Sequence, residues 1–141
     1  MDRKGSAVWQ GSFREGKGAV STESGALESA AYSVSSRFEH GTGTNPEELL
    51  GAAHAGCFSM SLAGQLAREK LTAERIATTA TVTVEKLEAG FGITHVHLAV
   101  EATIPGADQA TFERLAGAAK AGCPVSKLIN AQITMDAKLV G

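Results

Sequence analysis

Cysteine offers the most distinctive chemistry in this chain, which carries two of them, Cys57 and Cys123, far apart in the sequence. A thiolate attacks peroxides, disulfides and acyl groups, and two cysteines that meet in space can cycle between thiols and a disulfide. Around the second, Cys123-Pro124-Val125-Ser126 reads as the start of a short helix with Pro124 at its first position. Cys123 then occupies an N-cap, where helix-end amides favour the thiolate. Cys57 lies inside a longer apolar helix, where a cysteine is more often a packed structural thiol than a nucleophile. On helix-terminus physics alone Cys123 is the better first nucleophile, and Cys57 needs a cation beside it to react quickly at neutral pH.

Arg37 is the candidate supplier of that cation. It falls in Tyr32 to Phe38, where Tyr32, Val34, Ser36 and Phe38 alternate as in a strand and leave Arg37 on the opposite face. Its plainer reading is a solvent-facing arginine. Glu47 also has a plain reading, since an acid in the first turn of a helix complements the macrodipole. On a straight helix Glu47 and Cys57 lie about 15 Å apart along the axis. For both to serve one centre, either the helix breaks near Gly51 or Glu47 reaches the cysteine of another subunit.

His54 precedes Cys57 by one helical turn, which raises a cysteine-histidine hydrolase as an alternative, although no orienting partner is visible. His95 and His97 share one strand face but lack a third ligand in register, and the spacing of the two cysteines fits no common zinc pattern. No metal or cofactor is expected. Gly16-Lys17-Gly18 and Gly41-Thr42-Gly43 do not follow a core strand as a phosphate loop requires, and read as turns.

The elements that must position these residues are legible from periodicity. Ser6 to Phe13, Gly18 to Thr22 and Tyr32 to Phe38 read as short strands. A helix enters at Asn45-Pro46-Glu47-Glu48, with Asn45 as cap and Glu48 closing a capping box, and runs to about Lys70. Leu50, Ala53, Cys57, Met60 and Gly64 form one stripe on it, while Leu49, Ala52, Phe58 and Leu62 spread apolar surface around the rest. Ile76 to Val84 and Val96 to Ile104 read as a hairpin joined across Glu88 to Gly92. A helix from Asp108 to about Ala121 carries Phe112, Leu115, Ala116 and Ala119 on one face and stops at Gly122, and Ala131 to Leu139 closes the chain as a strand.

This order of elements predicts an α+β fold, and the 141 residues predict a single domain spanning 1–141. A sheet covers only part of so apolar a helix, so a homodimer is expected to cover the remainder. The 43% hydrophobic and 20% charged composition is that of a globular protein, and a net charge of -2 gives no electrostatic reason to bind nucleic acid or an anionic membrane. Met1 to Gly16 lacks the apolar core of a secretory signal, and Leu49 to Ala67 makes a poor membrane span. A soluble, cytoplasmic protein is expected. In that reducing compartment two cysteines suggest transient chemistry before a permanent staple.

The segment from Gly41 through Thr-Gly-Thr-Asn-Pro-Glu-Glu-Leu-Leu-Gly-Ala-Ala-His-Ala-Gly to Cys57-Phe-Ser-Met, followed by Ala121-Gly-Cys123-Pro-Val-Ser126, resembles the OsmC and organic hydroperoxide resistance family. Gly18 to Gly25, Ser36-Arg37-Phe38-Glu39, Ala89-Gly90-Phe91 and Pro105-Gly106 extend the likeness over nearly the whole chain, and the arginine segment sides with the OsmC branch. The resemblance implies an OsmC-like fold, with antiparallel sheets wrapped around long central helices in an intertwined homodimer. It implies a thiol peroxidase in which Cys57 attacks an organic hydroperoxide and becomes a sulfenic acid, and Cys123 condenses with it to a disulfide. Arg37 would lower the Cys57 pKa and steady the departing alkoxide, and Glu47 would hold the guanidinium by a bidentate pair. The implied reductant is a dithiol, typically dihydrolipoyl. Phe38, Leu50 and Phe58 are expected to line a lipophilic entrance favouring alkyl over hydrogen peroxide.

Overall fold

Polar caps and alternating apolar runs divide the chain into ten elements, which a computed structural model describes over residues 1–141. The backbone falls into two compact units, Met1–Leu49 and Leu50–Gly141, and each is taken in turn.

In the first unit β1 (Gly5–Gln10), β2 (Lys17–Thr22) and β3 (Ala30–Tyr32) form an antiparallel sheet in that order. Gly18 of β2 stands between Trp9 and Tyr32 on its two neighbours, and its missing side chain lets their rings meet at 5.5 Å between centroids. β2 begins one residue before the strand expected from Gly18, so Lys17, expected in a turn, is a strand residue. The strand expected over Tyr32 to Phe38 is also corrected: β3 stops at Tyr32 and α1 (Val34–Phe38) follows. Ser33 caps it, accepting from the Ser36 amide at 3.1 Å, while the Ser36 hydroxyl accepts from the Ser33 amide at 2.8 Å. That reciprocal box satisfies two donors a strand would have left to a neighbour. Gly43, at φ +121, then turns the chain so that the Thr44 amide reaches the Ala31 carbonyl at 2.8 Å.

α2 (Pro46–Arg68) starts as its sequence indicates, the Glu48 amide donating to Asn45 Oδ1 at 2.8 Å. Glu48 does not close a box onto Asn45; its carboxylate accepts from the Thr44 hydroxyl at 2.7 Å.

The second unit is built on β4 (Arg75–Leu87), β5 (Gly90–Thr103) and β6 (Gln132–Leu139) in the order β4-β5-β6. β4 and β5 form the expected hairpin, tighter than predicted because Leu87 pairs directly with Gly90, whose φ of +128 only glycine takes freely. β6 runs parallel to β5, so the sheet is mixed and not wholly antiparallel. α3 (Gln109–Gly122) and α4 (Pro124–Leu128) form the crossover that a parallel pair requires. Asp108 caps α3, accepting from the Thr111 amide at 2.7 Å, and Phe112, Leu115, Ala116 and Ala119 are its buried face.

Every second residue of β5, Val96, Leu98, Val100 and Ala102, joins that face and Phe58, Leu62 and Leu66 of α2 in one core. Burying each large apolar side chain stabilises the fold by roughly 1.5–3 kcal/mol. The inward stripe of α2 in this unit is Gly51, His54, Phe58, Leu62 and Leu66, one notch round from the stripe expected. A side chain on Gly51 would crowd the Ala80 carbonyl at 3.0 Å, and Ser59 hydrogen bonds Thr78 at 2.7 Å, so both hold α2 close to β4. Ala53, Met60 and Gly64 face outward, Met60 at 79% exposure, and Cys57 lies on the flank between the two faces. The whole is α+β, and no helix is long and apolar enough to cross a membrane.

Candidate active site

Cys57 and Cys123 come together in the second unit, both as free thiols. α4 brings this about. Cys123 is its N-cap, with Sγ accepting from the Ser126 amide at 3.3 Å, and Cys57 takes the Val125 amide. Two helix-end donors that would otherwise lack partners thus point at two sulfurs. Cys123 is fully buried and Cys57 half-buried. Burial pushes the Cys57 thiol above its ordinary range; the Val125 hydrogen bond works against that rise, and the neighbouring Cys123 adds to it. A half-buried thiol with one amide donor is a poor thiolate at neutral pH, and ionising Cys57 calls for a positive charge.

Sequence reasoning passed over Ser126. Its hydroxyl lies 3.1 Å from Cys123 Sγ and 2.7 Å from Nε2 of His54. His54 has no solvent exposure, burial lowers its pKa, and its Nδ1 has no hydrogen-bond partner. With Nε2 turned to Ser126 and Nδ1 unpaired, His54 makes no hydrogen bond to Cys57, so the hydrolase geometry is not formed. The signal available was position: Ser126 stands three residues after an N-cap, where a hydroxyl can return to the capping side chain.

Arg37 and Glu47 meet in the first unit. Arg37 Nε donates to both Glu47 oxygens at 3.0 and 3.2 Å, and Nη2 donates to Oε1 at 2.7 Å. Asn45 ties the two segments by donating from Nδ2 to the Ser36 carbonyl at 3.3 Å. Glu47 is buried, whereas the Arg37 side chain keeps 36% of its surface, so the carboxylate is neutralised while one face of the guanidinium stays available. Arg37 is thus both solvent-facing, as its plain reading has it, and paired. Its Cζ sits 5.0 Å from the Phe38 ring centroid, at a cavity of about 270 Å³ walled by Trp9, Phe13, Tyr32, Val34 and Phe38.

Of the three residues expected to line a lipophilic entrance, Phe58 has no exposed surface to offer. Phe38 lines the aromatic cavity, Leu50 lines a smaller one of about 110 Å³ with Val82 and Ile93, and Phe58 is fully buried in the core. His95 and His97 both hydrogen bond Thr134 Oγ1, at 2.8 and 2.6 Å, and His97 also meets Asp136 at 3.2 Å.

Residues 39–138 match the family model described as OsmC-like protein. The chain is 50% identical over 139 residues to Peroxiredoxin OsmC of Escherichia coli, covering 99% of this chain and 97% of that one. It is 32% identical over 100 residues to an organic hydroperoxide resistance protein of Xanthomonas axonopodis pv. citri, covering 70% and 68% respectively. The fold is similar to the crystal structure of the organic hydroperoxide resistance protein OhrB of Bacillus subtilis, with a TM-score of 0.71 at 24% identity, covering 97% of this chain and 98% of that one.

Proposed function

The chain belongs to the OsmC-like family and is a thiol peroxidase, and from that premise we propose that it reduces organic hydroperoxides through a Cys57 sulfenic acid and a Cys57–Cys123 disulfide. The observation that carries this reading is the side-by-side placement of the two thiols within one compact unit, under the amides of α4.

In the first step the Cys57 thiolate attacks one peroxide oxygen. An S–O bond forms, the O–O bond breaks, and the alkoxide leaves as alcohol after taking a proton. Cys123 then attacks the sulfenic sulfur; an S–S bond forms, and hydroxide departs as water. An external dithiol, of the dihydrolipoyl type, returns both cysteines to thiols by exchange. No cofactor or metal enters this sequence. The aromatic cavity beside Arg37 suits an apolar tail ending in a polar peroxide, which favours alkyl and aryl hydroperoxides over hydrogen peroxide. Wild-type protein with dihydrolipoamide should consume cumene hydroperoxide faster than hydrogen peroxide; equal rates would remove the organic preference.

The working unit in this reading is a cytoplasmic homodimer, in which the 141 residues act as one OsmC-like domain, with neither nucleic acid nor membrane as partner. Its exposed, small-residue face of α2, including Met60, supports a partner chain there. Within it Arg37, held by Glu47, supplies the positive charge to Cys57 of the partner subunit, because α2 runs unbroken from Pro46 to Arg68 and spaces Glu47 from its own Cys57 by about 15 Å along the axis. Two results follow. Burial raises the Cys57 thiol, so removing the opposing cation in Arg37→Ala should move the rising limb of the pH–rate profile to higher pH. Arg37→Ala and Cys57→Ser subunits, each far below the wild-type rate alone at neutral pH, should on co-refolding regain about a quarter of that rate there, since half the dimers are mixed and each holds one intact site. No recovery would place the arginine with its own cysteine.

A further inference from the structure

The peroxidase mechanism uses two sulfurs and an ion pair, and it leaves unexplained a fully buried histidine with one nitrogen on a serine and the other on nothing. An apolar side chain at this point in the α2 stripe would fill the core without stranding a polar atom. Resting on the proposed Cys57–Cys123 chemistry, we infer that Ser126 and His54 form a relay that takes the thiol proton from Cys123 as that sulfur closes the disulfide.

The geometry is continuous. Cys123 Sγ lies 3.1 Å from Ser126 Oγ, and Ser126 Oγ lies 2.7 Å from His54 Nε2, with all three side chains buried. While Cys123 is a thiol, its S–H donates to Ser126, whose own hydroxyl hydrogen is then directed at Nε2. That direction requires Nε2 to be the bare, accepting nitrogen and places the ring proton on Nδ1. The Ser126 amide, 3.3 Å from the same sulfur, remains a donor throughout and steadies the charge that develops there.

The step balances without an outside reagent. As Cys123 sulfur attacks the Cys57 sulfenic sulfur, the S–S bond forms and the S–O bond breaks. Cys123 is oxidised, Cys57 is reduced, and hydroxide departs. The thiol proton passes to Ser126 oxygen while the Ser126 proton passes to His54 Nε2. Burial disfavours the imidazolium, so His54 gives its proton up again once the hydroxide has left, and the net products are disulfide and water. His54 acts through Ser126, and only Ser126 touches a reacting atom.

The test is quenched-flow mass spectrometry after one equivalent of cumene hydroperoxide, which times sulfenic acid formation and disulfide closure separately. Ser126→Ala and His54→Phe should form the sulfenic acid at the wild-type rate but close the disulfide about a hundredfold more slowly, with sulfinic acid accumulating under excess peroxide. Ser126→Thr, which restores a hydroxyl, should recover closure. Ser126→Ala removes a single oxygen and decides the matter even if His54→Phe does not fold. The imidazole nitrogen spectrum of reduced wild-type protein should show the His54 proton on Nδ1, a signature indifferent to packing. Closure at the wild-type rate in Ser126→Ala, or a proton resident on Nε2, overturns the relay alone. Wild-type protein that forms no Cys57–Cys123 disulfide overturns the relay and the peroxidase reading together.

Discussion

Cys57→Ser is expected to lose dithiol-driven hydroperoxide consumption altogether, a fall of at least about a thousandfold to the uncatalysed background. A serine hydroxyl is nearly the same size, so the half-buried flank of α2 keeps its packing and the Val125 amide keeps an acceptor. What goes is the soft, ionisable nucleophile, because an alcohol does not ionise at any pH the protein survives. Binding and positioning stay, and only the group whose bond to oxygen is made in the transition state is removed. Peroxide loss followed in the presence of dihydrolipoamide measures this, with circular dichroism confirming the fold. Turnover retained in a folded variant would hand the first attack to Cys123, as the helix-cap argument from the sequence alone preferred.

Cys123→Ser should give a different failure. The first oxidation should be no slower than in the wild type, since Cys123 is one of the influences that raise the Cys57 thiol. The sulfenic acid then has no thiol to condense with. It persists, takes a second peroxide and ends as sulfinic acid, which the dithiol cannot reverse. Steady-state turnover should therefore fall by about a hundredfold or more while the first-turnover amplitude is preserved. Intact-mass measurement over successive peroxide additions reads this directly. A variant that cycles at the wild-type rate would mean that the external dithiol reduces the sulfenic acid itself and that Cys123 only packs.

Much of the fold was legible in the sequence where one period or one cap dominated. The β4–β5 hairpin declared itself by alternation, and Asn45 and Cys123 marked their helices by chemistry that the backbone then used. Alternation misled at Tyr32 to Phe38, because a reciprocal box built from two serines outweighs a short strand-like pattern and lacks the usual glutamate or glutamine at its third position. The α2 stripe was placed one notch away because a helix rich in Ala and Gly has little contrast between faces, and its true inner face contains a histidine. The parallel pairing of β6 leaves no mark in alternation, which is the same for either direction.

At the candidate site, the residue types were visible and their partners were not. Arg37 and Glu47 each had a sufficient local explanation, and only the turn through Gly43 brings them into one ion pair. Ser126 had no role assigned because its partner, His54, lies on a distant helix. The roles of Cys57 and Cys123 came from resemblance to a family; spacing alone gave no reason to join them.

Mass analysis of the wild-type protein under non-reducing conditions, before and after one equivalent of cumene hydroperoxide, tests the thiol-to-disulfide cycle most directly. The expected result is a monomer mass lower by two hydrogens and a single cross-linked peptide pair containing Cys57 and Cys123 from one chain. Peroxide consumed with both cysteines still free, or linked only between chains, would contradict it.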